Sequence, residues 1–235
     1  MSDLTAILLC GGKGERMRPF TDTLPKALVP LDGRPLLYHL MKYLAASGVS
    51  RFVVCVGHKA EAIEEFVAGH REPSWEVVCV DSGEASMTDR ILDARRHAAG
   101  PALICYGDTL ANVDLEALRR DHLSSGALVT LTTYPLPSPF GIVSFGGDGR
   151  VQRFDEKPRL PYWINIGFMM CRPEAFGFLS PGSDMPEFLS ALSEAGVLFA
   201  HRHTGKHLTV NTEKDRALAE AQIVEFYTHS DGQIV

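Results

Sequence analysis

With 235 residues, 45% of them apolar and 22% charged, the chain is long enough to bury one α/β domain and too short for two of ordinary size. A formal net charge of −6 argues against a nucleic-acid partner, so any attraction for an anion has to be local. No apolar stretch reaches the length of a membrane span, and MSDLTAILLC lacks the charged start and cleavage site of a secretory signal; no membrane is expected, and the cytoplasm is the expected compartment.

The first predicted element is a strand over the apolar run 4–10. Gly11, Gly12 and Gly14 follow it, then Arg16 and Lys26. Glycine has no Cβ, so such a loop can turn with φ > 0 and bring backbone N–H groups close to an anion. Arginine and lysine then add full positive charge. This is the chemistry of a polyphosphate-binding loop. It is not a P-loop, which would read G-x-x-x-x-G-K-[ST], and a dinucleotide fingerprint starting at Gly12 and Gly14 would need glycine where Met17 stands.

Further strands are predicted at 52–56, 77–80, 102–106, 128–132 and 164–171, several apolar throughout, as sheet positions covered on both faces are. Helices are predicted near 35–47, 60–68, 88–98, 114–125, 184–195 and 213–228, with helical spacing clearest in AIEEFV and LEALRRDHL. The alternation implies right-handed βαβ units and a mainly parallel sheet. FGIVSFGGDGRVQRF (140–154) interrupts it as a β-hairpin around Gly-Gly-Asp-Gly. Cys10, Cys55, Cys79, Cys105 and Cys171 fall in or at the end of apolar runs without metal-binding spacing, and read as core residues in a reducing compartment. Residues 1–229 are expected to form one domain and 230–235 a flexible tail.

The stretches LCGGKGERMRP and PKALVP resemble the signature of the sugar-1-phosphate nucleotidyltransferases, L-x-G-G-x-G-x-R-x-x-P followed by P-K-x-x-x-P. Glu15 stands where that family commonly has threonine, and is expected to face solvent or to be structural. The resemblance covers about residues 4–220. It implies a single Rossmann-like three-layer α/β domain with a mixed, mainly parallel central sheet and a hairpin inserted in the sugar-binding half. It also implies a bare catalytic domain that relatives assemble into dimers or larger rings.

Further site residues follow from the same resemblance. YGD at 106–108 matches a G-D whose aspartate binds Mg²⁺, which makes Asp108 a metal ligand; read from the residues alone, it is a capping aspartate at a strand end. Glu156 and Lys157 in FDEKP match residues that hold a sugar hydroxyl and the sugar phosphate, and Gly141, Asn165 and Gly167 match residues lining that pocket. The nucleotide is assigned to Leu9, Gly11, Gly12, Lys13, Gly14, Gly83, Ser86, Thr88 and Gly107, and catalysis to Arg16, Lys26, Asp108 and Lys157. Asn211 stands where the family has a second metal-binding aspartate; it serves equally well as part of a helix cap.

VDSGEASMTDRILDA (80–94) is most similar to the D-T-G-x-x-S-M-T-G-G-R-L of glucose-1-phosphate cytidylyltransferases, which points to CTP. Asp89-Arg90 replaces its Gly-Gly, and Ser86 or Thr88 reads as well as a helix N-cap as a base contact. The expected reaction joins a nucleoside triphosphate to a sugar 1-phosphate and releases pyrophosphate. The alternatives are GTP with a heptose or other modified sugar 1-phosphate, and a non-catalytic nucleotide or sugar-phosphate sensor. A glycosyltransferase is disfavoured, because Asp108-Thr109-Leu110 is not a D-x-D motif.

Overall fold

The run TAILL forms β1 (Thr5–Leu9), whose side chains are almost entirely covered on both faces. It lies within a seven-stranded sheet in a computed structural model that describes residues 3–70 and 72–227. After β1 come a short helix α1 (Phe20–Thr23), a ribbon of β2 (Pro30–Leu31) and β3 (Arg34–Pro35), and helix α2 (Leu36–Ala46). Two strand–helix pairs follow: β4 (Arg51–Val56) with α3 (Ala60–Gly69), and β5 (Glu76–Asp81) with α4 (Met87–Ala94). Next are β6 (Ala102–Tyr106), β7 (Thr109–Ala111), α5 (Leu115–Ser125) and β8 (Val129–Pro137). The hairpin β9 (Ile142–Phe145) and β10 (Val151–Asp155) precedes the long strand β11 (Arg159–Cys171). The chain closes with α6 (Met185–Glu194), β12 (Leu198–Arg202), β13 (His207–Thr209) and α7 (Glu213–Phe226).

The helices start where side chains can satisfy free N–H groups. Ser86 Oγ accepts from Asp89 N at the head of α4, and Asp114 Oδ1 accepts from Ala117 N at the head of α5. Asp184 and Glu187 form a reciprocal capping box on α6. Gly126, at φ 68°, ends α5 in the left-handed conformation that glycine adopts without strain.

The sheet order is β12-β8-β11-β6-β1-β4-β5. Pairs β1–β4, β1–β6, β4–β5 and β8–β12 are parallel, and β11 runs antiparallel to both β6 and β8. The sheet is therefore mixed and mainly parallel, as expected. Side chains alternate between two core layers. Leu8, Val54, Leu103 and Phe168 face one layer with α2, while Ile7, Val53, Ile104 and Met169 face the other with α6. The chain leaves β1 for β4 on one side and later returns to β6 on the other. Loops after a strand with such neighbours open a crevice at its carboxyl end.

The sequence-predicted strands and helices all occur. The strand predicted at 128–132 extends to Pro137, that at 164–171 begins at Arg159, and the helix predicted to 98 gives way to a tight turn after Ala94. Strand β12 and the ribbons β2–β3 and β7–β13 add to that reading. All five cysteines are free, four buried and Cys79 partly so, in keeping with a core role. Burial pushes the Cys55 thiol up to about 12 and the Cys79 thiol up to about 11. The expected tail, 230–235, lies outside the described residues.

The hairpin pairs only with itself. Val143 faces Phe154 across the ribbon and Phe145 faces Val151, with a bulge between Val151 and Arg153. The bulge resets the alternation, so all four apolar side chains share one face. They are 44%, 68%, 63% and 62% exposed in the order Val143, Phe145, Val151, Phe154. Ser144 and Arg153 lie on the opposite face.

Candidate active site

The carboxyl ends of β1, β4, β5 and β6 enclose a cavity of about 350 Å³ lined by Leu9, Cys10, Gly11, Gly12, Lys26, Ala27, Ala85, Met87, Arg90, Tyr106, Gly107 and Asp108. A smaller cavity adjoins it, lined by Gly11, Gly12, Lys13, His58, Gly83, Glu84, Ala85 and Arg90. Six predicted nucleotide-binding residues, Leu9, Gly11, Gly12, Lys13, Gly83 and Gly107, thus fall on cavity walls.

The glycine loop is shaped by close approach. Gly14 sits at φ 62°, and its carbonyl accepts from Thr21 Oγ1 at 3.0 Å. A Cβ at Gly107 would stand 2.6 Å from Cys10 Sγ and 2.8 Å from the Leu9 carbonyl, so only glycine lets β6 end this close to β1. Glu15 is exposed, in keeping with its expected solvent-facing place.

Lys26, on a 3₁₀ turn after Pro25, is the centre of charge. Its Nζ donates to Asp108 Oδ2 and to Asn211 Oδ1, each at 2.7 Å. Arg16 Nη2 reaches the same Asn211 oxygen at 3.1 Å. The Asn211 side chain is thereby turned to the site, and Thr212 Oγ1 accepts from Asp215 N at the head of the last helix instead. At the mouth, Lys13 pairs with the exposed Glu84 at 3.0 Å, and this contact holds the Glu84 carboxyl below its ordinary range.

Asp108 and Asn211 converge on one ammonium from two sides, so two oxygen donors already share a single cation. A hard divalent ion such as Mg²⁺ accepts that donor set when phosphate oxygens and water complete it. Among the described residues no group of three or more His, Cys, Asp or Glu side chains could hold a metal by itself. Asp108 and Asn211 therefore fit a metal carried in with phosphate.

Other predicted residues are placed differently. Ser86 Oγ caps α4 and also meets Thr88 Oγ1 at 2.8 Å, while the buried Thr88 hydroxyl donates to the Ser183 carbonyl. Neither lines a cavity. Asn165 Oδ1 accepts from Gly167 N at 2.9 Å, and Gly167 lies against the Tyr106 ring, placing both behind the cavity wall. Burial raises the Tyr106 hydroxyl pKa. Gly141 touches the Phe154 ring at the base of the hairpin. Glu156 and Lys157 pair with each other at 3.6 Å, both exposed, with Lys157 at φ 47°. These three do not line either cavity.

Arg90 is the residue that sequence reasoning did not assign. It stands where the resembled motif has glycine, and it forms part of the wall of both cavities. Asp89 beside it turns away, accepting from Gly182 N and Ser86 Oγ at 2.9 Å each; these bonds hold its carboxyl below the usual range.

Known proteins with this sequence pattern carry the same architecture. A "Probable glucose-1-phosphate cytidylyltransferase" of Bacillus subtilis is 32% identical over 237 residues, covering 90% of this chain and 93% of its own. The glucose-1-phosphate cytidylyltransferase of Salmonella typhimurium is 30% identical over 245 residues, covering 92% and 95%. Two solved structures of HddC from Yersinia pseudotuberculosis, one complexed with GMP-PN, share the fold with a TM-score of 0.73 at 21% and 19% identity; each alignment covers 93% of this chain and 98% of that one. Residues 5–197 match the family described as Nucleotidyl transferase. With a glycine-rich loop at the end of β1 and these relatives along nearly its whole length, the chain belongs to the nucleotidyl transferase family of enzymes.

Proposed function

We propose that the protein joins a nucleoside triphosphate, CTP, to a sugar 1-phosphate, giving a nucleotide sugar and pyrophosphate, with Mg²⁺ as cofactor. The observation that carries this reading is the convergence of Lys26, Asp108 and Asn211 beside the glycine loop. The attacking phosphate is already anionic and needs no general base, so positioning and charge neutralisation supply the catalysis. Gly11 and Gly12 N–H groups hold the β- and γ-phosphates, and Arg16 grips the departing pyrophosphate. Lys26 leaves Asp108 for the α-phosphate, where negative charge builds up, and Lys157 aligns the sugar phosphate. Bound between Asp108 and Asn211, Mg²⁺ would neutralise the same phosphate oxygens.

The base assignment draws on the likeness of residues 80–94 to cytidylyltransferases and on the Salmonella relative. A second reading, GTP with a heptose 1-phosphate, is motivated by the HddC structure with GMP-PN. Pyrophosphate release measured with Mg²⁺ across CTP, UTP, GTP, dTTP and ATP, against hexose and heptose 1-phosphates, separates them. Turnover with CTP supports the first reading and turnover with GTP the second. Nucleotide binding without release of pyrophosphate would leave a sensor. Among the described residues no helix is long and apolar enough to cross a membrane. The free thiols fit the reducing cytoplasm, where we place the reaction.

The hairpin supports self-association. An isolated two-stranded ribbon is marginal in water, and its apolar face, like the 73%-exposed Phe140, has no cover among the described residues. Arg153 and Asp155 are already paired at 2.6 Å, so the ribbon brings little unpaired charge to a second copy. At roughly 200 Å² per aromatic side chain, two such faces bury on the order of 1,000 Å², the lower bound for a specific interface. Light scattering on Phe145→Asp tests it: a drop to monomer mass supports a homo-oligomer built here, and an unchanged mass rejects it.

A further inference from the structure

Arg90 is only 5% exposed. Its Nη2 donates to the carbonyls of Gly83 at 2.6 Å and Gly11 at 3.3 Å, and its Nη1 donates to that of Val56. The acceptors are the last residue of β4 and two residues in the loops leaving β1 and β5. Among the described residues no carboxylate pairs with this guanidinium. A buried cation held by carbonyl dipoles alone carries a desolvation cost that only an opposite charge or strong acceptors offset.

The guanidinium also fills space. A Cβ at Gly11 or Gly57 would overlap it. In the larger cavity the other charged side chains, Lys26 and Asp108, are bonded to each other, and most of the remaining wall is apolar: Leu9, Cys10, Ala85, Met87 and Tyr106. An apolar slot with one cation in its wall suits a flat heterocycle that presents an acceptor atom. Three carbonyl bonds leave two of the five guanidinium N–H donors uncommitted.

We propose that Arg90 is a specificity-determining residue that selects the base, narrowing the slot to a pyrimidine and offering its free N–H donors to the ring's C2 carbonyl. Cytosine and uracil both carry that acceptor. Purines lack it and need the volume that the guanidinium occupies. The clamp on Gly11, Val56 and Gly83 keeps the donor group fixed, so the pyrimidine meets a preformed edge. This inference rests on the nucleotidyl-transfer reading above.

The test measures binding of CTP, UTP, GTP and ATP by calorimetry to the wild type, Arg90→Ala and Arg90→Lys, with turnover measured in parallel. The wild type is expected to bind pyrimidine triphosphates about tenfold or more tighter than purine ones, the scale of one lost recognition contact. Arg90→Ala should narrow that ratio about tenfold. Arg90→Lys keeps the charge but not the fork, and should narrow it in the same direction; it carries the test if the alanine variant does not fold. An equal loss for all four nucleotides, with the ratio unchanged, would show a purely structural clamp and overturn the inference, as would purine preference in the wild type. A shifted ratio without any turnover would sink the transfer reaction and leave base selection standing; turnover with an unmoved ratio would do the reverse.

Discussion

Lys26 and Asp108 meet as ammonium and carboxylate at 2.7 Å, with the lysine side chain only 14% exposed. In the proposed reaction the pair holds these charges in register before phosphate arrives, and the incoming triphosphate has to compete for the lysine. Lys26→Ala should lower kcat by roughly 10²-fold or more, the scale for one lost electrostatic contact to a developing charge. Pyrophosphate release at saturating substrates measures it. Near-full turnover in the variant would remove Lys26 from catalysis.

Asn211 supplies an oxygen but no charge. Replacing it by aspartate adds a second carboxylate to the pair that converges on the Lys26 position, and ligand charge is what tunes affinity for a hard cation. The Mg²⁺ concentration giving half-maximal rate should fall several-fold, on the order of tenfold, in Asn211→Asp and rise in Asn211→Leu. A Mg²⁺ titration in which neither variant moves the midpoint would separate Asn211 from the metal.

Gly167 combines two constraints. It lies at φ 77°, and a Cβ there would overlap the Tyr106 ring. Gly167→Ala should destabilise the fold by about 2 kcal/mol or more, since backbone strain and overpacking add. Gly83, at φ 60° with open space around it, carries the strain alone, and Gly83→Ala should cost about 1 kcal/mol. Urea unfolding of the two variants reads the difference; equal losses would mean that Tyr106 moves aside freely.

Acid should weaken the fold through histidines. Burial pushes the pKa of His122 down to about 4, with nearby Arg172 adding to it, and burial does the same to His207, aided by His203. Neither Nε2 has a hydrogen-bond partner among the described residues. The unfolded chain takes up these protons near the ordinary value of 6.5, the folded chain only near 4. Their contribution is therefore fully present above pH 6.5 and is lost as pH falls from 6.5 toward 4. Tm should drop by about 5 °C or more between pH 7.5 and 4.5, and His122→Asn should flatten that slope. A pH-independent Tm over this range would contradict the burial argument.

The site was most legible where its chemistry is local. Gly11, Gly12 and Lys26 announce themselves by spacing after an apolar run, Asp108 only through the resemblance of its YGD, and the hairpin by alternation around a glycine turn. What escaped depends on partners distant in sequence. Strand β12 opens on a short apolar run, residues 197–200, too brief to tell a strand from a helix end by itself; Leu198 to Arg202 become a strand because Val129 to Thr133 offer an edge some seventy residues earlier. In the sequence Arg90 is only a replacement of a motif glycine; its place becomes visible when the carbonyls of residues 11, 56 and 83 are brought around it. Ser86 and Thr88 illustrate the opposite problem. Their hydroxyls match a binding motif, while helix capping and a contact to the Ser183 carbonyl, 95 residues away, already occupy them.

The overlap between the Arg90 guanidinium and any side chain at positions 11 or 57 links three sites into one inherited unit. A lineage that keeps this arginine cannot enlarge either glycine; one that loses it is released at position 11 but not at 57, where a Cβ would still overlap the Gly83 carbonyl. A new arginine at 90 therefore requires that glycine already stand at 11, the one of the two positions that the guanidinium alone restricts.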